Sequence, residues 1–488
     1  MNDGKKPRRF DRNLVVIGAG AGGLVAAYIA AAVRAKVTLV EAHRMGGDCL
    51  NTGCVPSKAL IRVARLLRDL RRAGEMGVEL GAPRVDFAAV MARVRAVIAE
   101  VEPHDSVERY TALGVEVIEG RAHIDSPWSV RITGADGERI LTTRAIVVAT
   151  GAVPVVPRIT GIERVRHVTS DTVWSLTERP ERLVVLGGGP IGCELAQAFA
   201  SLGCTVTLVS RSGLLPREDA DVAALVEAGL AADGVRRLTG AEPLRCEVEA
   251  GEQRLVVRAV GAEEALPFDV LLCATGRRAR VRGFGLEELG VALTPAGTIA
   301  VNEYLQTSVP GIYACGDVAG PWQFTHAAAH QAWYAAVNPL FAGIRRFKAD
   351  YRVMPRVTFT DPEIASVGLT EADARAQGVA FEVSRFELAE LDRAIADGAA
   401  QGFVKVLTPP GRDRILGATV VGAHAGEMLA EFTLAMQHGL GLNRLLATIH
   451  PYPTWSEAAK YTAGAWKRAH APQRLLGWLE RFHAWRRG

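Results

Sequence analysis

Leu14-Val15-Val16-Ile17-Gly18-Ala19-Gly20-Ala21-Gly22-Gly23 decides the fold. Its first four residues are aliphatic and make a short strand of the buried type. The pattern G-x-G-x-x-G follows at Gly18, Gly20 and Gly23, and an alanine-rich helical run continues to Val33. A second strand, residues 36–40, ends at Glu41. Strand, glycine loop, helix, strand and acid in this order form a dinucleotide-binding βαβ unit. The glycines allow a tight turn and close backbone approach to a pyrophosphate, the helix N-terminus faces the phosphates, and the acid meets a ribose hydroxyl. Residues 13–33 carry no charge, which alone would suit a membrane span, but the glycine loop inside them reads as this unit instead.

The unit repeats. Leu183-Val184-Val185-Leu186 is a second strand, Gly187, Gly189 and Gly192 supply the loop, Cys193–Leu202 reads as its helix and Thr205–Val209 as the next strand. No acid closes this copy; the chain reads Ser210-Arg211-Ser212, with Arg217 beyond. An acid there favours NAD, whereas Arg211 and Arg217 beside small hydroxyl residues accept a 2′-phosphate, so NADPH is expected over NADH.

Between the two units lies Gly46-Gly47-Asp48-Cys49-Leu50-Asn51-Thr52-Gly53-Cys54-Val55-Pro56-Ser57-Lys58. Cysteines five apart can bring their sulfurs within bonding reach if a helix starts irregularly, and Gly46-Gly47 allows that. A helix N-terminus also favours thiolate over thiol. The chain has 488 residues, enough for about three domains at ~150 residues each. Its seven cysteines are sparse, and the other five are scattered, which fits a reducing cytoplasm with one redox pair rather than a secreted disulfide framework. A net charge of +4 over this length suggests no nucleic-acid partner. Residues 1–12 are polar and basic, read as a mobile tail and not a signal peptide. Residues 115–121, 129–133 and 140–149 read as strands, the last ending in Ala149-Thr150-Gly151.

Through residues 12–470 the chain resembles the class I pyridine nucleotide-disulfide oxidoreductases, a family that includes dihydrolipoamide dehydrogenase, glutathione reductase and mercuric reductase. The resemblance rests on the cysteine segment, both glycine loops, the turns at Gly151 and Gly276, and Thr307–Asp317, which is similar to the family's second FAD motif. It implies an α/β fold with two Rossmann-like domains, for FAD and NAD(P), and a C-terminal α+β dimerisation domain, hence a homodimer. The expected segments are 13–151 and 277–348 for FAD, 152–276 for NAD(P), and 349–470 for dimerisation. The resemblance also implies a path from nicotinamide to flavin, to Cys54, to Cys49 and on to an acceptor, with Lys58 and Glu194 paired near the flavin and Asp317 on its ribitol chain. No protein-bound metal is expected.

The departure from the family is at Ile449-His450-Pro451-Tyr452-Pro453-Thr454-Trp455-Ser456-Glu457. Disulfide-reducing members place histidine before Pro-Thr and glutamate five residues after that histidine; here Tyr452 holds the histidine position, with Glu457 following. Tyrosine, with a reference pKa of about 10, is a poor neutral-pH proton shuttle beside histidine at about 6.5. Mercuric reductase resembles the chain in carrying tyrosine there, but no cysteine follows Cys315 to serve as a C-terminal metal-delivering pair. The expected function is therefore NADPH oxidation through FAD and the dithiol to a disulfide or metal-ion acceptor, mercuric-reductase-like. One alternative is a dihydrolipoamide dehydrogenase with an atypical proton relay, in which His450 acts with Glu457 or Tyr452 orienting it. Another is a redox-linked membrane or complex component. It would dock through residues 471–488, where Leu475, Trp478, Leu479, Phe482 and Trp485 recur at helical spacing among arginines. Such a helix suits either a protein partner, the favoured reading, or a peripheral membrane contact.

Overall fold

The computed structural model describes residues 6–79, 81 and 83–488. The chain forms two compact units, one from residues up to 211 with 240–350, the other from 212–239 with 351–488.

In the first unit, both glycine-loop repeats build parallel sheets. Across the first sheet the order is Ile312–Ala314, Ile146–Val148, Leu14–Ile17, Val37–Glu41 and Glu116–Glu119, with Leu14 opposite Val37 and Val15 opposite Ile146. The second sheet holds, from this unit, Thr205–Ser210, Arg182–Leu186, Val270–Cys273 and His167–Thr169 in that order. Strands with both faces covered read as continuous apolar runs, and Leu14, Val15 and Val16 are fully buried. Helices Ala21–Ala32 and Thr325–Leu340 cover one face through small residues: a Cβ at Gly22 would lie 3.1 Å from the Cys315 sulfur and 3.7 Å from Ala328. Between the sheets, Ala152–Pro154 pairs antiparallel with Arg277–Ala279, where the chain leaves the first sheet and returns.

Two sequence expectations change here. Residues 1–5 of the expected tail lie outside the described residues, but Arg12 is buried. Its Nε lies 2.6 Å from Thr38 Oγ1 and its guanidinium pairs with Glu116, so the ordered fold begins before residue 13. Residues 140–149 are not one strand: Gly137–Thr142 belongs to an antiparallel sheet and Ile146–Val148 to the parallel one.

The second unit is built on an antiparallel sheet ordered Arg356–Thr358, Glu363–Gly368, Gly417–Gly422, Phe403–Thr408 and Glu382–Glu387. Its core packs Val404, Val406 and Val420 against Leu429 and Phe432. Residues 212–239, read from sequence within the NAD(P) segment, cluster with this unit, and ion pairs join them to its sheet. Lys405 is 1% exposed and lies 2.8 Å from Asp219, 2.9 Å from Asp221 and 2.9 Å from Glu371. A buried ammonium needs such partners. Arg356 and Glu218 add a pair at 2.9 Å. Helix Gln473–Arg487 ends the chain with no residue buried, and Leu475, Trp478 and Trp485 stay exposed. Among the described residues no helix is long and apolar enough to cross a membrane.

Candidate functional site

The cysteine segment forms a short helix, Gly47–Asn51, a break at Thr52 and Gly53, and a long helix, Cys54–Arg71. Cys49 and Cys54 thus sit on two helices, not on one with an irregular start. Gly53 permits the break, because a Cβ there would fall 2.9 Å from the Asp48 carbonyl oxygen. Gly46 and Gly47 both have positive φ, +84° and +57°, which L side chains rarely adopt. A Cβ on Gly47 would stand 2.6 Å from the Gly20 Cα, so the first glycine loop and the cysteine segment lie against each other.

Cys54 is the first residue of its helix, where unpaired backbone N–H groups favour negative charge. Both cysteines are free thiols. A hydrogen bond from Cys49 pulls the Cys54 thiol down to about 6, against the desolvation that raises it, with Thr325 and Lys58 helping. The same bond, together with burial, pushes the Cys49 thiol well up, so Cys49 keeps its proton. Thr325 Oγ1 lies 3.4 Å from the Cys54 sulfur. Lys58 Nζ is 2.9 Å from Glu194 Oε2. Sequence reasoning missed Thr325, which has no motif of its own; only the fold brings the start of that helix to Cys54.

Arg277, directly after the turn at Gly276, ties this segment to its surroundings. It donates through Nη2 to the Asp48 carboxylate and to the Ala152 carbonyl, and through Nη1 to Asp171 Oδ1 at 3.3 Å. Its Nε is 3.7 Å from Asp317 Oδ2. Burial pushes the Asp317 carboxyl up to about 6, with Arg277 opposing. Trp174 Nε1 donates to the Thr52 carbonyl at 2.7 Å and the Ser170 carbonyl at 2.8 Å, a second strap on the cysteine segment.

Both loops have the cradle a dinucleotide requires. Gly18 has φ +101°, and a Cβ on Gly23 would fall 1.7 Å from the Gly18 carbonyl oxygen. In the repeat, Gly187 has φ +122° and a Cβ on Gly192 would fall 1.9 Å from the Gly187 oxygen, while the space at Gly189 is open. Glu41 accepts from the backbone N–H of Ala19 at 2.6 Å and of His43 at 2.8 Å, which holds the acid against the first loop. Gly151 and Gly276 have φ +68° and +123°, with open space where a side chain would be. Arg211 is exposed at the end of its strand; Arg217, also exposed, belongs to the second unit.

His450, Tyr452 and Glu457 all lie in the second unit. The His450 side chain is 5% exposed, with Nε2 at 2.9 Å from Glu431 Oε1 and Nδ1 at 3.1 Å from the Thr448 carbonyl. Glu431 orients it, not Glu457 or Tyr452, and both ring nitrogens are engaged. Tyr452 is 68% exposed and donates to Asp392 Oδ2 at 2.9 Å. Glu457 is buried and accepts from the Thr454 N–H at 3.2 Å and the Tyr461 hydroxyl at 3.4 Å.

Residues 12–332 match the family model described as pyridine nucleotide-disulphide oxidoreductase, and residues 354–463 match its dimerisation domain, which supports a homodimer. A mercuric reductase from Streptomyces lividans is 35% identical over 454 residues, 92% of this chain and 95% of that protein. A dihydrolipoyl dehydrogenase from Chlamydia muridarum is 34% identical over 453 residues, 91% of this chain and 95% of that one. Among solved structures, LpdA from Mycobacterium tuberculosis aligns with TM-score 0.85 and 29% identity, covering 92% of this chain and 99% of that one. The Cu(II) complex of the HOCl-induced flavoprotein disulfide reductase RclA from Escherichia coli aligns with TM-score 0.82 and 28% identity, covering 93% and 99%. The glycine cradles and the dithiol agree with these matches, and the chain belongs to the pyridine nucleotide-disulphide oxidoreductases, flavoenzymes that bind FAD and use NAD(P)H.

Proposed function

We propose that the chain oxidises NADPH and passes the electrons through Cys54 and Cys49 to a disulfide or a thiophilic metal ion. The observation that carries this reading is the placement of the two thiols: Cys54 opens a long helix with Thr325 Oγ1 3.4 Å from its sulfur, and Cys49 hydrogen-bonds to it from the short helix before. One sulfur is thereby suited to face an electron donor and the other to meet an acceptor.

FAD, when bound, supplies the two-electron hydride chemistry that side chains lack. Gly18, Gly20, Gly23, Glu41 and Asp317 would hold it, with Gly151 at the domain exit. Gly187, Gly189, Gly192 and Gly276 would hold the nicotinamide dinucleotide, with Arg211 as the candidate for the 2′-phosphate. Lys58 lowers the Cys54 thiol, and Glu194 pairs with that lysine. Arg277 and Trp174 hold the cysteine segment in register.

Tyr452 in place of histidine favours the mercuric-reductase-like branch over dihydrolipoamide dehydrogenase. The engaged nitrogens of His450 weigh against His450 as a substitute shuttle. Peripheral membrane contact by helix Gln473–Arg487 rests on its composition alone and forms no part of the proposal.

An acceptor screen tests the reading. Disulfides, metal ions and quinones are offered with NADPH and with NADH, to the wild-type enzyme and to Cys49→Ser. Acceptors reduced through the dithiol lose turnover in Cys49→Ser; if every acceptor is still reduced at the wild-type rate, the dithiol is not on the path. Rapid flavin reduction by dihydrolipoamide would favour the dihydrolipoamide dehydrogenase reading instead.

A further inference from the structure

The two sulfurs stay together without a bond between them. Both thiols are free, yet Cys49 hydrogen-bonds to Cys54 across the helix break at Thr52 and Gly53. Such a break between two helices can hinge, so the short helix needs other ties. Residues 48–52 are gripped at both ends. At one end the Asp48 carboxylate accepts from Arg277 Nη2, which also donates to the Ala152 carbonyl at 3.1 Å. At the other end the Thr52 carbonyl accepts from Trp174 Nε1 at 2.7 Å. The two grips form one clamp. Arg277 Nη1 lies 3.3 Å from Asp171 Oδ1, and Ser170 Oγ donates to that same oxygen at 3.4 Å. The Ser170 carbonyl in turn accepts from Trp174 Nε1 at 2.8 Å. The clamp is anchored on strands: Ser170 follows His167–Thr169, the last strand of the second sheet, and Arg277 opens the strand paired with Ala152–Pro154. Trp174 is buried and the Arg277 side chain largely so, which fixes both donors.

We propose that Arg277 and Trp174 are positioning residues that keep Cys49 within reach of Cys54 after reduction, so that the Cys49–Cys54 disulfide re-forms readily. This rests on the dithiol reading above. With a disulfide acceptor R–S–S–R′, Cys49 loses its proton to solvent and its sulfur bonds to R–S, while R′–S⁻ departs and is protonated by solvent. The Cys54 thiolate then attacks the Cys49 sulfur, the Cys49–Cys54 bond forms, and R–S⁻ leaves and is protonated by solvent. Two cysteines are oxidised to a disulfide and one acceptor disulfide is reduced to two thiols. The second step depends on the effective concentration of one sulfur at the other, which rigid placement raises. A short helix free to swing would lower it and leave Cys49 joined to R–S.

Equilibrium with dithiothreitol reads that effective concentration without turnover. The FAD-loaded enzyme is equilibrated anaerobically with mixtures of reduced and oxidised dithiothreitol, alkylated and mapped at Cys49 and Cys54. Arg277→Met is expected to lower the disulfide-to-dithiol constant about tenfold or more. Trp174→Phe, which removes only the indole N–H, should lower it a few-fold. Arg277→Lys keeps the charge but cannot hold Asp48, Ala152 and Asp171 together, so it should recover only part of the constant. The direction separates a clamp from a charge. Loss of a nearby cation alone raises the thiols and makes the disulfide harder to reduce, the opposite change. An unchanged or raised constant in Arg277→Met or in Trp174→Phe, or full recovery with Arg277→Lys, would overturn the assignment while leaving the dithiol reading intact. A wild-type enzyme in which Cys49 and Cys54 form no disulfide at any mixture would end that reading, and the assignment with it.

Discussion

Lys58 Nζ and Glu194 Oε2 stand 2.9 Å apart, joining the helix that begins at Cys54 to the helix of the second glycine loop. The two ends differ: the Lys58 side chain is 36% exposed and that of Glu194 8%. Removing the cation takes a positive charge 2.9 Å away from a nearly buried carboxylate, whereas removing the carboxylate leaves an ammonium that water can reach. Lys58→Met is therefore expected to cost about 1–3 kcal/mol, and Glu194→Gln under about 1 kcal/mol, in urea unfolding of the holoenzyme. The reverse order would show that the pair is not the asymmetric one described.

Cys54 should titrate as an acid of about 6 in the reduced enzyme. The thiolate is the reactive form, so iodoacetamide labelling of Cys54 rises as pH passes upward through that value and levels off above it. Cys49 labels only at higher pH. Thr325 and Lys58 both lower the Cys54 thiol, so Thr325→Val and Lys58→Met each shift the Cys54 profile to higher pH. Peptide mapping after labelling separates the two sites.

Gly47→Ala places a methyl group 2.6 Å from the Gly20 Cα at a φ of +57°. Neither backbone can give cheaply, since Gly20 belongs to the loop expected to approach the pyrophosphate. The variant is expected to purify with less than half the wild-type flavin and to unfold about 1–3 kcal/mol more easily. Full flavin content would mean that the cysteine segment and the glycine loop do not meet as described.

Arg211 directly follows the strand Thr205–Ser210, where an NAD-specific loop would carry an acid. A charge-assisted hydrogen bond to a 2′-phosphate contributes about 1.5–3 kcal/mol, so Arg211→Ala should raise KM for NADPH roughly tenfold or more. KM for NADH should stay within about twofold, because no phosphate is lost from that contact. Equal effects on the two nucleotides would remove Arg211 from the phosphate site.

The glycine loops and the redox pair were legible because each carries a local constraint. Gly18 and Gly187 need positive φ, and Gly23 and Gly192 have no room for a side chain. Lys58 and Glu194 were matched by the resemblance, and the structure brings them together. What stayed hidden depends on long-range closure. Thr325 reaches Cys54 across 271 residues of sequence, and Arg277 meets Asp48 across 229. The break at Thr52 and Gly53 was missed because glycine is compatible with an irregular helix start as well as with a stop.

The most direct test counts thiols. Oxidised, FAD-loaded enzyme is titrated anaerobically with NADPH, quenched with an alkylating reagent and mapped. Two new alkylated thiols per chain, at Cys49 and Cys54 and nowhere else, are expected. NADPH oxidation that leaves both cysteines joined, or that opens thiols elsewhere in the chain, would contradict the account.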